Sequence, residues 1–161
     1  MIRPATTSDA AAIAKIYNHY VLNTIVTFEE DAVSVSEMSG RISEILSNEL
    51  PLLVWTEAGA VVGYTYANKW KSRCAYRYAL ESTIYLDLTA TGQGIGTKLY
   101  TALLAELRKT KIHTIIGGVA LPNAGSVGLH EKMGFKKIGE FKEVGWKFNQ
   151  WIDVGYWELM L

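Results

Sequence analysis

Residues 80–107 read LESTIYLDLTATGQGIGTKLYTALLAEL, and this stretch decides the fold class of the chain. Its first part, Leu80–Leu88, alternates and is rich in β-formers, which predicts a central strand. The glycine-rich part Thr89–Gly96 predicts a loop, and the leucines of Thr97–Thr110 recur at helical spacing. A strand, a glycine loop and a helix in this order indicate an α/β domain with a ligand site where the helix begins.

The segments around this stretch continue the mixed pattern. Periodicity predicts a first helix after a capping Ser8 or Asp9, with an apolar face that runs from Ile13 to Val21, and further helices over 36–47 and 123–133. It predicts strands over 2–5, 52–56, 61–67, 114–121, 135–144 and 152–161. The turn residues Glu57–Ala60 predict a hairpin, and Gly134 is expected to end its helix in the left-handed conformation. Residues 68–79, NKWKSRCAYRYA, fit neither period, and their mixture of cations and aromatics favours a binding loop.

Size and composition limit the function classes. The 161 residues are enough for one domain over the whole chain, and an apolar fraction of 49% argues against disorder. The 16 basic and 16 acidic residues balance, so no nucleic-acid partner is expected. No apolar run approaches the ~20 residues that cross a bilayer, so no membrane partner is expected. The N-terminus lacks the apolar stretch of a signal peptide, and Cys74 is the only cysteine, so a cytoplasmic location is expected.

The glycine loop has the chemistry of a phosphate site. Glycines allow close backbone approach, and the amides at the start of a helix favour an anion. The spacing is not that of a P-loop, because no Gly-Lys-Ser/Thr follows, and the context differs from a dinucleotide fingerprint. Taken alone, the loop is also consistent with a plain tight connection.

Several motifs follow one another along the chain: Ile16-Tyr17-Asn18-His19-Tyr20, Trp70-Lys71, Glu81-Ser82-Thr83-Ile84-Tyr85, Gly94-Ile95-Gly96, Leu121-Pro122-Asn123, His130-Glu131-Lys132-Met133-Gly134-Phe135 and Trp151-Ile152-Asp153-Val154-Gly155. Together and in this order they resemble the GCN5-related N-acetyltransferase (GNAT) superfamily, and they are most similar to its phosphinothricin and methionine sulfoximine acetyltransferase branch. The resemblance implies a mixed, mostly antiparallel twisted sheet. It has six to seven strands, is splayed between the fourth and fifth, and is flanked by about four helices.

The resemblance also implies acetyl-coenzyme A as cosubstrate, without a metal. Ile84, Tyr85 and Leu86 are expected to lie along its pantetheine arm, and Asn123 and Ser126 to lie beside it. The residues expected to cradle its pyrophosphate are Thr91, Gly92, Gln93, Gly94, Ile95, Gly96 and Thr97.

One position departs from the family's pattern. The superfamily's loop usually begins with arginine or glutamine, whereas this chain has Thr91. Gln93 and Lys98 are the long polar side chains nearby that remain as substitutes.

Two residues are expected to move protons. Glu81 is an acid within an apolar strand, so a raised pKa is expected if it is buried, which suits a general base. The alternative is a carboxylate at the end of the strand, in solvent or in an ion pair with Arg73 or Arg77. The resemblance favours the base. His130 stands where many relatives carry the tyrosine that protonates the leaving thiolate, and an imidazole titrates near neutral pH.

The loop 68–79 is the expected acceptor site. A guanidinium fork suits a carboxylate or phosphinate, and aromatic rings supply an apolar wall. The residues assigned to the acceptor are Phe28, Trp70, Lys71, Arg73, Tyr76 and Arg77. The alternative is a solvated surface loop.

The resemblance implies acetylation of the α-amino group of a compound like phosphinothricin or methionine sulfoximine or sulfone. A polyamine, an aminoglycoside or a protein N-terminus are alternative acceptors, and a non-catalytic sensor of acetyl-coenzyme A is an alternative of another class. Relatives in this branch are commonly homodimers, so a homodimer is expected. The tail aromatics are predicted to be mostly core, with a subunit interface as the alternative: Trp146, Phe148, Trp151, Tyr156 and Trp157.

Overall fold

The computed structural model describes all 161 residues as seven strands and four helices. The strands are β1 Ile2–Pro4, β2 Leu52–Glu57, β3 Ala60–Lys69, β4 Ala79–Leu86, β5 Thr114–Leu121, β6 Lys136–Lys147 and β7 Gln150–Met160. The helices are α1 Ala10–Asn23, α2 Val35–Ser47, α3 Ile95–Leu107 and α4 Ala124–Lys132. No helix is both long enough and apolar enough to span a bilayer. The predicted mixture and number of elements are confirmed.

The strands form one sheet in the order β1-β2-β3-β4-β5-β7-β6. Every neighbouring pair is antiparallel except β4 and β5, which run parallel. Their pairing covers only Ala79–Glu81 against Thr114–Ile116. Beyond these residues β4 stays with β3 and β5 stays with β7, so the sheet divides into two arms. The predicted splay between the fourth and fifth strands is confirmed.

The two faces of the sheet are covered by different helices. On one face, α1 and α2 pack on alternate residues such as Val54 and Tyr64. On the other face, α3 packs on the intervening residues, such as Leu53 and Leu80. This alternation follows from the two-residue period of a strand.

One turn and two helix ends follow from left-handed backbone positions. The Glu57–Ala60 hairpin is confirmed, with Ala58 and Gly59 both at positive φ. Gly134 ends the α4 region at φ 91°, as predicted. Gly94 also has positive φ and caps α3, so this helix begins at Ile95, two residues before the predicted start.

Three of the five tail aromatics are exposed, which corrects the expectation that most of them are core. Trp146, Phe148 and Trp151 are each more than half exposed, whereas Trp157 is buried. The physical reason is that β6 is the edge strand, and the β6–β7 hairpin extends beyond the helices that cover the rest of the sheet.

The far end of this hairpin holds the loop between α1 and α2. The Phe28 ring lies on Gly145, where any side chain on residue 145 would overlap it. Lys147, only 1% exposed, donates from Nζ to the carbonyl oxygen of Thr27 at 2.7 Å. The Asn18 amide bonds both backbone groups of Val33, at 2.8 and 2.9 Å. The loop is therefore fixed at both ends, by α1 and by a strand 120 residues away.

We expect Lys147→Met to release this loop, because it removes the donor to Thr27 while keeping the length of the side chain. Losing a buried charge-assisted hydrogen bond should lower the free energy of unfolding by about 1–3 kcal/mol. Urea denaturation measures this change, and limited proteolysis should show faster cleavage between residues 24 and 34.

Lys142→Met is the matched control on the same hairpin. Lys142 is 71% exposed and forms surface ion pairs with Glu140 and Asp153, so its loss should cost less than about 1 kcal/mol. Equal destabilisation by both variants, with unchanged proteolysis of the loop, would contradict the role of the Lys147–Thr27 hydrogen bond in holding the loop.

Candidate active site

Two adjoining cavities occupy the gap between β4 and β5. The first, about 190 Å³, is next to the point where the strands part, and the second, about 310 Å³, extends towards the glycine loop. The residues that line both are Val26, Ile84, Tyr85, Asn123 and Ser126. We call this combined space the cleft. Its walls are the two strands, the start of α4 and the loop that Lys147 holds.

The edge of β4 that faces the cleft has no strand partner. Ile84, Tyr85 and Leu86 pair with β3 on their other side only. Every second residue of such an edge turns its N–H and C=O groups outward, where a ligand can pair with them. The Tyr20 hydroxyl donates to the Leu86 carbonyl oxygen at 2.6 Å, which closes the edge at this end.

The glycine loop and the start of α3 form the far end of the cleft. Thr91, Gly92 and Gly96 line the second cavity. Gly92 and Gly94 have φ of 73° and 75°, which turns the backbone sharply before the helix. The first intrahelical bond is made by the Lys98 N–H, so the preceding amides from Ile95 onward are free for an anion.

The two expected substitutes for a long side chain at position 91 are engaged elsewhere. The Gln93 amide donates to the Thr89 carbonyl oxygen at 2.7 Å. The Lys98 ammonium lies over the Trp55 ring, 5.4 Å from its centre. The Thr91 hydroxyl donates to the Leu88 carbonyl oxygen at 2.9 Å. Backbone amides, rather than side chains, are therefore the donors that this loop offers.

Glu81 lies at the other end of the cleft and is the last residue of β4 that pairs with β5. It forms no ion pair with Arg73 or Arg77, and burial raises its pKa, with the charge of Lys71 acting in the opposite direction. A Cβ at Gly118 would lie 3.2 Å from Glu81 Oε1 and 3.4 Å from the Tyr156 ring. Glycine at this position therefore leaves open the space between the carboxylate and the tyrosine.

His130 lines the same cavity from α4 but is only 4% exposed. Its Nδ1 lies 2.8 Å from the Ser126 carbonyl oxygen and 3.4 Å from the Ser126 hydroxyl. Burial lowers the pKa of His130, so the imidazole is neutral near pH 7. The ring rests on Gly117, where an added Cβ would lie 2.5 Å from its Cδ2.

Of the expected acceptor residues, Trp70 and Lys71 border a cavity beside Glu81. This cavity, about 750 Å³, lies on the face of the sheet that Glu81 occupies and includes Ile116 and Tyr156. Ile116 is the residue that pairs with Glu81. Trp70 and Lys71 therefore stand on the open side of the carboxylate, opposite the cleft.

The other expected acceptor residues lie further out. The short helical turn Cys74–Tyr76 ends the loop, and Arg77 stacks over Tyr78 at 4.7 Å and donates to the Cys74 carbonyl oxygen. Arg73 is exposed without an ion pair, and Tyr76 meets the edge of Trp70 at 5.3 Å. Phe28 packs on Gly145 and makes no ring contact with Trp70.

Sequence reasoning did not assign several of the lining residues to the site. Val26, Thr27 and Thr83 line the first cavity, and Tyr156 stands beside Glu81. The adjacent glycines 117 and 118 were the available signal, because two glycines in a buried strand indicate close approach from both faces. No group of three or more metal-ligating side chains comes together in the structure.

Comparison with known proteins gives a consistent result. The acetyltransferase (GNAT) domain family matches residues 2–155. The chain is 37% identical to a phosphinothricin N-acetyltransferase of Streptomyces viridochromogenes, covering 98% of this chain and 85% of that protein. It is 34% identical to an L-methionine sulfoximine/L-methionine sulfone acetyltransferase of Salmonella typhimurium, covering 99% and 94%.

A solved structure matches over the same length. The phosphinothricin acetyltransferase of Sinorhizobium meliloti in complex with AcCoA superposes with a TM-score of 0.97 at 35% identity, covering 100% of this chain and 88% of that chain.

Proposed function

Because the chain belongs to the GNAT acetyltransferase family, we propose that it transfers the acetyl group of acetyl-coenzyme A to the α-amino group of a small amino-acid-like acceptor. Acceptors like phosphinothricin or methionine sulfoximine and sulfone fit best. The observation that carries the proposal is the cleft between β4 and β5, with a partly buried carboxylate at one end and a glycine loop at the other. An exposed, unpaired Cys74 fits a reducing compartment, so we expect the cytoplasm.

The cleft fits acetyl-coenzyme A by the chemistry of its backbone. The free edge of Ile84, Tyr85 and Leu86 would pair with the amides of the pantetheine arm. Asn123 and Ser126 would form the opposite wall. The amides from Gly92 to Thr97 would hold the pyrophosphate at the start of α3, where the helix dipole favours an anion. Bound in this way, the cosubstrate supplies an acetyl group activated as a thioester.

In this scheme Glu81 removes the proton from the amine. A carboxylate whose pKa is raised by burial is a stronger base than an ordinary one, and it lies where the cleft opens to the acceptor side. A backbone N–H of the free β4 edge would donate to the thioester oxygen as negative charge develops there. His130 and Ser126 stand on the wall where the thiolate departs, and we assign to them the return of its proton.

Lys71 is the best candidate for the group that binds the acceptor's carboxylate. It is the residue whose positive charge acts on Glu81, and Trp70 beside it supplies an apolar wall. Two other carboxylates line the same cavity and bear on whether it accepts an anionic group. Glu140 is neutralised by Lys137 and Lys142, whereas Glu158 has no ion pair and lies two strands from Glu81. Arg73, Tyr76, Arg77 and Phe28 would then serve as the outer boundary.

The apolar surface of the β6–β7 hairpin supports a homodimer. Ile138, Phe141, Trp146 and Trp151 are each more than half exposed, and the two tryptophan rings lie 4.8 Å apart. An edge strand with clustered exposed aromatics is a typical site of self-association. We therefore propose that two copies meet through this hairpin.

We expect the protein to release thiol from acetyl-coenzyme A with phosphinothricin or methionine sulfoximine, and Glu81→Gln to lower turnover by about 10²–10⁴-fold. The substitution removes the proton acceptor and keeps the shape of the side chain. In the wild type, kcat/KM should rise with pH through a pKa above the ordinary glutamate value of 4.5. That rise should be missing in the variant.

Cofactor binding is the control for this experiment. Calorimetry should give similar affinities of both proteins for acetyl-coenzyme A, since Glu81 is assigned to the amine. Wild-type protein that binds the cosubstrate but releases no thiol with any amine would instead support a non-catalytic sensor of acetyl-coenzyme A. Retained turnover and pH dependence in Glu81→Gln would remove Glu81 as the base.

For the acceptor site, we expect Lys71→Gln to raise the KM of the amino-acid acceptor by about 10-fold or more, because a charge-assisted hydrogen bond is lost. The KM of acetyl-coenzyme A should stay the same. Arg77→Gln is the competing variant, and its effect should be within about twofold, as for an exposed charge. A larger effect of Arg77→Gln would show that Arg77, rather than Lys71, binds the carboxylate of the acceptor. Better turnover of polyamines than of amino acids would indicate a cationic acceptor bound by Glu158.

For the dimer, we expect the wild type to have twice the 17.9 kDa mass of one chain in light scattering. Trp151→Glu should convert it to single chains, because a charge at the centre of an apolar contact is costly to bury. Leu22→Glu changes a side chain of similar exposure on α1 and should leave the mass unchanged. A wild type with the mass of a single chain in light scattering would contradict the proposed dimer interface.

A further inference from the structure

A chain of four polar groups, of which three are buried and Ser126 is partly exposed, runs below the cleft. The Ser82 and Tyr100 hydroxyls are in contact, and the Tyr100 hydroxyl lies 3.2 Å from Nε2 of His130. Nδ1 of His130 continues to Ser126. Ser82, Tyr100 and His130 are 6%, 0% and 4% exposed. The chain joins β4 to α3 and α4 at the place where β4 and β5 have separated.

The partners of His130 decide where its proton lies. The Ser126 carbonyl oxygen can only accept, so Nδ1 at 2.8 Å must carry the hydrogen. In the neutral ring Nε2 then holds a lone pair, and the Tyr100 hydroxyl donates to it. The Tyr100 oxygen is left to accept from Ser82. All the hydrogen bonds therefore point in one direction, from Ser82 to Ser126.

Both ends of this chain open into the cleft. Ser82 and Ser126 line the 190 Å³ cavity on opposite walls, and Glu81 lines it as well. Neither nitrogen of His130 presents a free hydrogen to the cavity, since one faces a carbonyl oxygen and the other a phenol. A proton from His130 can reach the cavity through the Ser126 hydroxyl, which lies 3.4 Å from Nδ1.

We infer that Ser82, Tyr100 and His130 form a proton relay that returns the proton taken from the amine to the leaving thiolate through Ser126. The inference rests on the proposed acetyl transfer. Ser126 gives its hydrogen to the sulfur and receives the one on Nδ1. Nε2 receives the hydrogen of Tyr100, and Tyr100 receives that of Ser82. Ser82 and Glu81 point to opposite faces of β4 and both line the 190 Å³ cavity, so water in that cavity passes the proton of Glu81 to Ser82. Each group, the water included, gives one proton and gains one.

The surroundings explain why the groups act together rather than singly. Burial raises the pKa of Tyr100 and lowers that of His130, so neither ionises near neutral pH by itself. A neutral imidazole releases one hydrogen readily only when it gains another on the opposite nitrogen. Tyr100 is therefore a positioning residue that acts through His130 and Ser126.

Few charges act on the relay. Glu81 on β4 is the one charged group that affects the pKa of Tyr100. On α4, the Glu131 carboxylate accepts from Trp157 Nε1 at 3.3 Å, and on α3, Lys98 points to Trp55. On β5, Gly117 faces the ring without a side chain. The pH dependence of the relay should therefore reflect Glu81 and the thiol itself.

The test is Tyr100→Phe in the active enzyme, with Tyr64→Phe as matched control. Tyr64 is 3% exposed, and its hydroxyl makes no hydrogen bond. At pH 7, kcat of Tyr100→Phe should fall by about 10–100-fold with the KM of acetyl-coenzyme A unchanged. Above about pH 9 the deficit should disappear, because a thiol with a pKa near 8.5 leaves as the thiolate.

Ser82→Ala breaks the relay one step earlier and should produce the same pH-dependent deficit, which keeps the test available if Tyr100→Phe folds poorly. A deficit that is equal at every pH, or equal to that of Tyr64→Phe, would show a structural role only and overturn the relay.

Nitrogen NMR of the unliganded protein gives a readout without activity. The ¹⁵N shifts of His130 should show a neutral ring with hydrogen on Nδ1 at and above pH 7. Hydrogen on Nε2 would overturn the relay. A wild type that acetylates no amine would instead overturn the proposed function, whereas an active wild type with a normal Tyr100→Phe variant overturns the relay alone.

Discussion

The short pairing of β4 with β5 is the constraint on which the rest of the structure depends. Three residues of each strand pair, and the following five of β4 lose their neighbour on that side. An unmade hydrogen bond to a buried backbone group costs about 1–3 kcal/mol, so a sheet normally closes such a gap. Here side chains on the α3 and α4 face of the sheet lie under the gap and keep the two strands apart. The imidazole of His130 lies on Gly117, and the hydroxyl of Ser82 contacts that of Tyr100. The gap therefore remains open and presents backbone groups to a ligand.

The adjacent glycines of β5 serve the two faces of the sheet separately. Successive residues of a strand point to opposite sides, so Gly117 faces α4 and Gly118 faces Glu81. On one side the missing side chain gives His130 its place, and on the other it leaves room between Glu81 and Tyr156. Both proposed proton carriers thus approach the same stretch of backbone from opposite directions, close to the point where the strands part.

Much of the fold could be predicted from local patterns, but the cleft could not. The alternation of Leu80–Leu88 indicates a strand and says nothing about which neighbour it pairs with, so the splay was predictable only through the family resemblance. In the loop 68–79 the composition indicates binding, whereas the choice between Lys71 and Arg77 depends on the turn at Cys74–Tyr76. The link from Tyr100 to His130 joins residues 30 positions apart, and helical periodicity identifies Tyr100 only as a core residue.

The third wall of the cleft connects the site to the edge of the sheet. Val26 lines both cavities, and the loop that carries it is held by Lys147 at the end of the β6–β7 hairpin. Burying an ammonium group is costly unless it is hydrogen-bonded, so the position of Lys147 is closely tied to that of Thr27. The same hairpin bears the exposed aromatics of the proposed dimer surface. Contact between two copies would therefore restrict the hairpin and, through Lys147, the loop over the cleft. In that arrangement the proposed dimer would help to fix the wall against which the thioester arm lies.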